Sequence, residues 1–319
     1  MRRGRRSRID YRVPPASEIT PKNLAVSRRK ILTTGATLFG GAMAAPLLRA
    51  TADDWKTRIQ AAEKTDFKVD DDPTPRQRAT SYNNFFEFGT RKEQPYMRAH
   101  RMETDPWSVT IAGEVERPGE YALEDILAPH GFEQRIYRHR CVEAWSKVIP
   151  WIGFPLGDLI ERFEPTSRAK YVAFETLVDE DVMPGVARGI LDWPYREALT
   201  IEEAVHPLTL LAVGMYDDVM PPQCGAPLRL VVPWKYGYKG IKSIVRIEFT
   251  EERPECLWEL EQPEEYGWYG NVNPNVDHPR WDQSRERRIG ELGRRETELY
   301  NGYAELVADL YPEGPDAYW

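Results

Sequence analysis

The chain has 319 residues, with 43 Lys+Arg against 51 Asp+Glu and a formal net charge of −8. That acidic balance excludes the broad basic surface that nucleic-acid phosphates require, so no nucleic-acid partner is expected. Three cysteines (Cys141, Cys224, Cys256) without a Cys-x-x-Cys, and five histidines without a His-x-His or His-Glu-x-x-His pattern, speak against self-contained zinc, c-type haem and thioredoxin-like sites.

The first informative segment is Ser27-Arg28-Arg29-Lys30-Ile31-Leu32, followed by a weakly apolar stretch over 31–48 and the small-residue site Ala50-Thr51-Ala52. This is the pattern of a twin-arginine export signal. Such a signal carries proteins already folded, commonly with a cofactor inside. A general secretory signal and an uncleaved anchor are the alternatives; Gly35, Gly40, Gly41 and Pro46 dilute the stretch as a membrane span. With residues 1–52 as signal peptide, residues 53–319 carry 32 Lys+Arg and 49 Asp+Glu, a net charge of −17. A soluble periplasmic protein is expected, and a monomer.

Residues 53–80 are charged and broken by Pro73 and Pro75, and read as an N-terminal linker or arm; residues 81–319 read as the catalytic domain. The aromatic motif Ser81-Tyr82-Asn83-Asn84-Phe85-Phe86-Glu87-Phe88-Gly89 opens it. Alternation over 107–111 predicts a strand closed by Gly113, and 123–127 a short helix before Pro129. Residues 155–163 read as a helix with Leu156, Leu159 and Ile160 on one face, and 171–176 as a strand. A short helix is expected over 201–205, and strands over 208–213, 228–232 and 244–249. The irregular spacing, 26 prolines and lack of sustained βαβ alternation predict an α+β fold with mixed β-sheets and interspersed helices. Neither glycine-rich nucleotide signature is present.

The densest chemical run is Arg135-Ile136-Tyr137-Arg138-His139-Arg140-Cys141-Val142-Glu143-Ala144-Trp145-Ser146. Arg138 and Arg140 are expected to lower the Cys141 pKa and favour thiolate, which serves equally as metal ligand or nucleophile. The competing reading is a buried structural cysteine on a strand whose arginines face solvent.

The stretch Arg140-Cys141-Val142-Glu143-Ala144-Trp145-Ser146, continuing from Val148 through Leu156, resembles the molybdenum-ligating segment of the sulfite oxidase superfamily. The likeness is nearest to its bacterial periplasmic protein-methionine-sulfoxide reductase catalytic subunits. It extends through Tyr82-Asn83-Asn84-Phe85, Ala173-Phe174-Glu175-Thr176, His206-Pro207-Leu208-Thr209-Leu210 and Gly225-Ala226-Pro227-Leu228-Arg229-Leu230. It continues in Pro233-Trp234-Lys235-Tyr236-Gly237, Lys239-Gly240-Ile241-Lys242-Ser243-Ile244 and Asp277-His278-Pro279-Arg280-Trp281.

The resemblance implies a sulfite-oxidase-type molybdopterin-binding fold and a Mo-molybdopterin cofactor with Cys141 as the protein's metal ligand. It places Asn83, Phe86, Glu87, Thr176, Arg229, Gly240, Ile241 and Lys242 at pterin-binding positions, with the Arg229 fork and the Lys242 cation suited to phosphate or pterin edges. Read without it, Lys235, Lys239 and Lys242 form a solvated turn. Cys224 stands where the family commonly has Asn; it is carried as a cofactor contact, and a Cys224–Cys256 disulfide stays open. Asn84 and Glu143 match residues facing the metal, and Tyr266 and Trp281 match the substrate pocket. Glu143 would repel sulfite and help deliver protons, or would pair with Arg138 or Arg140. The implied activity is reduction of methionine sulfoxide in oxidised periplasmic proteins, with electrons from a membrane-embedded haem b, quinol-oxidising subunit. The alternatives are a molybdenum enzyme of other small S- or N-oxides or sulfite, and a non-catalytic binding protein of the same fold.

Overall fold

Residues 53–318 are described by the computed structural model; the export-signal expectation for residues 1–52 lies outside them. In chain order the elements are α1 (Asp53–Gln60), β1 (Glu63–Lys68), α2 (Arg76–Ser81), α3 (Gln94–Arg98), β2 (Ser108–Gly113), β3 (Gly119–Ala122), α4 (Leu123–Leu127), β4 (Glu133–Cys141) and β5 (Trp145–Pro155). There follow α5 (Leu156–Phe163), β6 (Tyr171–Thr176), α6 (Pro184–Ala187), β7 (Arg196–Thr200), α7 (Ile201–Val205), β8 (Leu210–Met215) and β9 (Asp218–Val219). The last are β10 (Arg229–Val231), β11 (Ile244–Thr250), α8 (Leu257–Glu261), β12 (Arg285–Arg288), β13 (Arg295–Glu296) and α9 (Ala304–Val307). Among the described residues no helix is long and apolar enough to cross a membrane.

Two mixed sheets organise the chain. The larger runs β1-β4-β5-β12-β13, with β8 also paired to β5 and in turn to β9 and β10; the smaller runs β3-β2-β11-β6-β7. This is the α+β architecture that the irregular strand spacing indicates. The β4–β5 hairpin is the centre of the larger sheet, in register from Glu133↔Gly153 to Cys141↔Trp145. Residues 145–154 of β5 are all buried, because β4, β8 and β12 flank the strand and both its faces are covered. Gly153 permits this: a Cβ there would drive into the Leu211 carbonyl on β8. Helix α5 buries Leu156, Leu159, Ile160 and Phe163, the i, i+3, i+4, i+7 stripe of an amphipathic helix.

Residues 53–80 are a packed arm rather than a linker. Strand β1 pairs in parallel with β4, and Trp55, Ile59 and Val69 are buried in the main core. Charge hid this, because the exposed positions of β1 are charged while Thr65 and Phe67 turn inward.

Candidate active site

Five segments converge on a cleft of about 870 Å³. The 83–87 loop brings Asn83, Asn84, Phe86 and Glu87, and the β4–β5 hairpin brings His139, Cys141, Glu143, Trp145 and Lys147. The end of β6 brings Thr176, the 224–242 stretch brings Cys224, Arg229, Tyr238 and Lys242, and α8 and its sequel bring Trp258 and Tyr266. Strand geometry explains the hairpin's share. Successive side chains alternate faces, so His139 and Cys141 on β4, and Trp145, Lys147, Ile149 and Trp151 on β5, form one face of one ribbon.

Cys141 lies at the tip of the hairpin. The turn closes through the Ala144 N–H donating to the Cys141 carbonyl at 3.1 Å, with Ala144 in the left-handed region at φ 59°. The Asn84 amide and the Glu143 backbone N–H both approach Cys141 Sγ at 3.5 Å. Burial, followed by the Glu143 charge, pushes the thiol up to about 12. This corrects the expected lowering by Arg138 and Arg140: burial outweighs the help that Lys92 and Arg140 give the anion. A bound metal ion would reverse the balance, because coordination deprotonates a thiol outright.

The two arginines do not face solvent and do not pair with Glu143. Arg140 is fully buried; Nε lies 3.0 Å from Glu286 Oε2, and Nη1 donates to the Cys141 carbonyl at 2.5 Å. Its Nη2 donates to Gln283 Oε1 at 3.1 Å and Thr297 Oγ1 at 3.2 Å. Arg138 binds Asp71 at 2.6 Å and Glu298 at 3.1 Å. Glu143 instead takes Lys92 at 2.8 Å and the Trp145 indole N–H at 2.9 Å.

The opposite end of the cleft is cationic. Buried Lys147 donates to the Ala79 carbonyl at 2.8 Å, to Asn83 Oδ1 at 3.0 Å and to the Tyr82 carbonyl, and burial pulls its amine down to about 7. Burial and then Arg229 pull Lys242 down to about 8, and burial lowers Arg229 to about 10. His139 is held neutral, by burial first and then by Arg229, Lys147 and Lys242. Glu87 is the carboxylate facing Lys242, and burial pushes it up to about 7. Cations crowded into a low-dielectric cleft repel one another and call for an anion. Gly225 makes room for this end: at φ +108°, a Cβ would lie 2.8 Å from Lys242 Cγ.

The structure sorts the sequence-derived residues. Asn83, Asn84, Phe86, Glu87, Cys141, Glu143, Thr176, Cys224, Arg229, Lys242 and Tyr266 line the cleft. Gly240 and Ile241 do not; they lie behind it, where the Gly240 carbonyl accepts from Arg229 Nη2 at 3.1 Å. Arg229 also donates to the Cys224 and Leu230 carbonyls, at 2.7 and 3.3 Å, so much of its fork is spent on fixing the 224–240 backbone. Trp281 sits outside, in an adjoining groove shared with Glu143. Cys224 Sγ lies 4.0 Å from Asn83 Nδ2, and all three cysteines are free, so no Cys224–Cys256 disulfide forms.

Nor is the 235–242 turn solvated. Lys235 and Lys239 are buried, the first on Glu203, the second 2.6 Å from Glu197. His139, Lys147, Tyr195, Tyr238 and Trp258 were not singled out from sequence. The i, i+2 spacing of His139 and Lys147 from Cys141 and Trp145 was the available signal for two of them.

Comparison with known proteins agrees with this chemistry. Residues 96–258 match the family described as oxidoreductase molybdopterin binding domain. The chain is 49% identical over 306 residues to the protein-methionine-sulfoxide reductase catalytic subunit MsrP of Burkholderia mallei (strain ATCC 23344), covering 93% of this chain and 92% of that one. The chain belongs to this family of molybdopterin oxidoreductases. Among solved structures, the sulfane dehydrogenase SoxCD from Paracoccus pantotrophus aligns with 81% of this chain and 65% of its own, at 15% identity and a TM-score of 0.44.

Like its family, the protein is an oxidoreductase whose cofactor is Mo-molybdopterin. The residues present fit that group. Cys141 offers one soft sulfur donor at one end of the cleft, and Lys147, Arg229 and Lys242 offer positive charge for a pterin phosphate at the other.

Proposed function

We propose that the protein reduces methionine sulfoxide in oxidised proteins to methionine, with Cys141 as the metal ligand and the Lys147–Arg229–Lys242 end holding the pterin phosphate. The bound cofactor supplies a two-electron molybdenum centre able to accept an oxygen atom. The observation that carries the reading is one cleft that joins Cys141 to a cationic end and an aromatic wall, in a chain 49% identical to a methionine-sulfoxide reductase subunit.

The chain's own residues account for the selectivity. Glu143 puts a carboxylate, paired with Lys92, beside Cys141 rather than an unpaired cation that would hold sulfite. Tyr266 and Trp258 stack at 4.8 Å with 22° between their planes, and both line the cleft. That wall suits a neutral, polarisable thioether. The Asn84 amide, 3.5 Å from Cys141 Sγ, is placed to orient a sulfoxide oxygen by hydrogen bonding. Glu143 borders both the cleft and the outer groove, so its carboxylate is placed to pass protons inward from solvent.

The Burkholderia relative is named as a catalytic subunit. We extend that here to a partner subunit, namely a membrane-embedded haem b protein passing electrons from quinol. We further propose that residues 1–52 are a twin-arginine signal that sends the folded, loaded protein to the periplasm.

The test is a turnover assay on purified, molybdenum-loaded protein with a reduced dye as electron donor. Oxidised protein, free methionine sulfoxide, a small N-oxide and sulfite are offered in parallel. Methionine should reappear in the oxidised protein by mass spectrometry. Turnover of sulfite or the N-oxide without repair of the protein would defeat the proposal, as would native protein purified without molybdenum.

A further inference from the structure

Beside the cleft lies a second groove of about 600 Å³, with Glu143 and Trp145 lining both. Its walls are aromatic and cationic: Tyr82 and Trp281, with Lys92, Arg287 and Arg294. Glu143 is the carboxylate among its lining residues, and Lys92 already neutralises it at 2.8 Å. Arg287 and Arg294 are exposed, and neither forms an ion pair among the described residues. The Arg287 guanidinium is held 5.5 Å over the Tyr82 ring, with Nη2 donating to the Tyr82 hydroxyl at 3.2 Å. The neighbouring acid Asp282 accepts from the Ser284 N–H at 2.8 Å and hydroxyl at 2.6 Å, and these bonds come ahead of the Arg294 and Arg285 charges in holding its carboxyl below the usual range. Trp281 is capped by Arg280 at 4.3 Å, which is itself paired with Glu265.

This positive strip stands out because residues 53–319 carry a net charge of −17. An acidic protein repels acidic partners except where its surface potential is reversed. The reversal here occurs beside the cleft. We propose that this groove binds an extended substrate segment carrying Asp or Glu next to the oxidised methionine. The arginines take the flanking carboxylates, and the Tyr82 and Trp281 rings take the neighbouring apolar side chains. The inference rests on the methionine-sulfoxide reading above and names the class of protein substrate that reading leaves open.

Three peptides that differ only in the residues flanking one methionine sulfoxide (glutamate, alanine or lysine) test it on the loaded enzyme, with free methionine sulfoxide alongside. The glutamate peptide should show a kcat/KM about tenfold above the lysine peptide at low salt, with the preference shrinking as salt rises. The double variant Arg287→Glu/Arg294→Glu should invert that ratio, and Arg287→Gln/Arg294→Gln should bring it near one. Fluorescence anisotropy of labelled, unoxidised peptides should reproduce the order in Kd. Equal kcat/KM for the three peptides, or an unchanged ratio in the reversed variant, overturns the groove while leaving the activity intact. No turnover of free methionine sulfoxide or any peptide overturns the activity and the groove together.

Discussion

Replacing Lys242 by methionine should move stability and cofactor retention in opposite directions. In the cofactor-free protein the Lys242 ammonium is partly buried, and burial and then Arg229 hold its pKa near 8, below the ordinary lysine value of 10.5. A depression of that size penalises the folded, charged form by about 3 kcal/mol. Exposure to cleft water and the Glu87 charge reduce the penalty that Lys242→Met removes to about 1–2 kcal/mol. Folded and unfolded lysine are both protonated below pH 8, so the penalty is fully present there; it fades as pH rises from 8 toward 10.5. Cofactor-free Lys242→Met should therefore be about 1–2 kcal/mol more stable than the parent at pH 7 by urea unfolding, with the gain vanishing above about pH 10. Loaded protein should instead lose a charge-assisted contact worth about 1.5–3 kcal/mol, roughly 10–100-fold in affinity. Molybdenum per chain, measured after prolonged dialysis, reports that loss. A variant that unfolds more easily without cofactor, or that keeps full molybdenum, would refute the assignment of Lys242 to an anion site.

Other consequences are open to the same methods. Cys141→Ser should abolish oxygen transfer while leaving the urea midpoint of the cofactor-free protein within about 1 kcal/mol of the parent; surviving activity would remove Cys141 as the ligand. Lys235 and Glu203 are buried together, with Lys235 also donating to Asn271 Oδ1 at 2.9 Å and Tyr311 donating to Glu203 at 2.6 Å. Lys235→Met alone should cost about 3–5 kcal/mol, and the added Glu203→Gln should recover much of it; strict additivity in urea unfolding would show that the two are not coupled. His130 stacks on Phe154 at 4.3 Å, and burial, then Arg162 and Arg58, lower its pKa to about 4. Because the unfolded ring protonates near pH 6.5, stability should be complete above that pH. It should fall by about 1–2 kcal/mol toward pH 4, after allowance for screening. His130→Phe should flatten the difference between urea midpoints at pH 7 and about pH 4.5.

Secondary structure was readable where one physical signal acted alone. The period-two pattern of 171–176 and the helical stripe of 156–163 needed no tertiary information, and both elements stand where the pattern puts them. Cys141 could be picked out by its chemistry, but its surroundings could not. Arg138 and Arg140 read as a positive field because sequence shows their charge and conceals Asp71 and Glu286, which lie far off in the chain. The same blindness made Lys235 and Lys239 look solvated, since their partners Glu203 and Glu197 precede them by more than 30 residues. The arm was obscured for a different reason. Strand β1 buries only alternate side chains against a pairing partner about 70 residues away, and a short charged run does not announce such a partner.

The way Arg140 is held bears on what keeps the cofactor site in shape. The carbonyl of Cys141 is gripped by Arg140, and Arg140 is gripped by Glu286, Gln283 and Thr297. Tyr303 adds its hydroxyl to the Arg138 backbone N–H at 3.1 Å on the same strand. All these clamps come from the 283–303 stretch, far along the chain from the sulfur they position. Cys141 is thus held from behind by residues that do not line the cleft, and a change at Glu286 or Thr297 would reach the metal ligand without touching the cofactor.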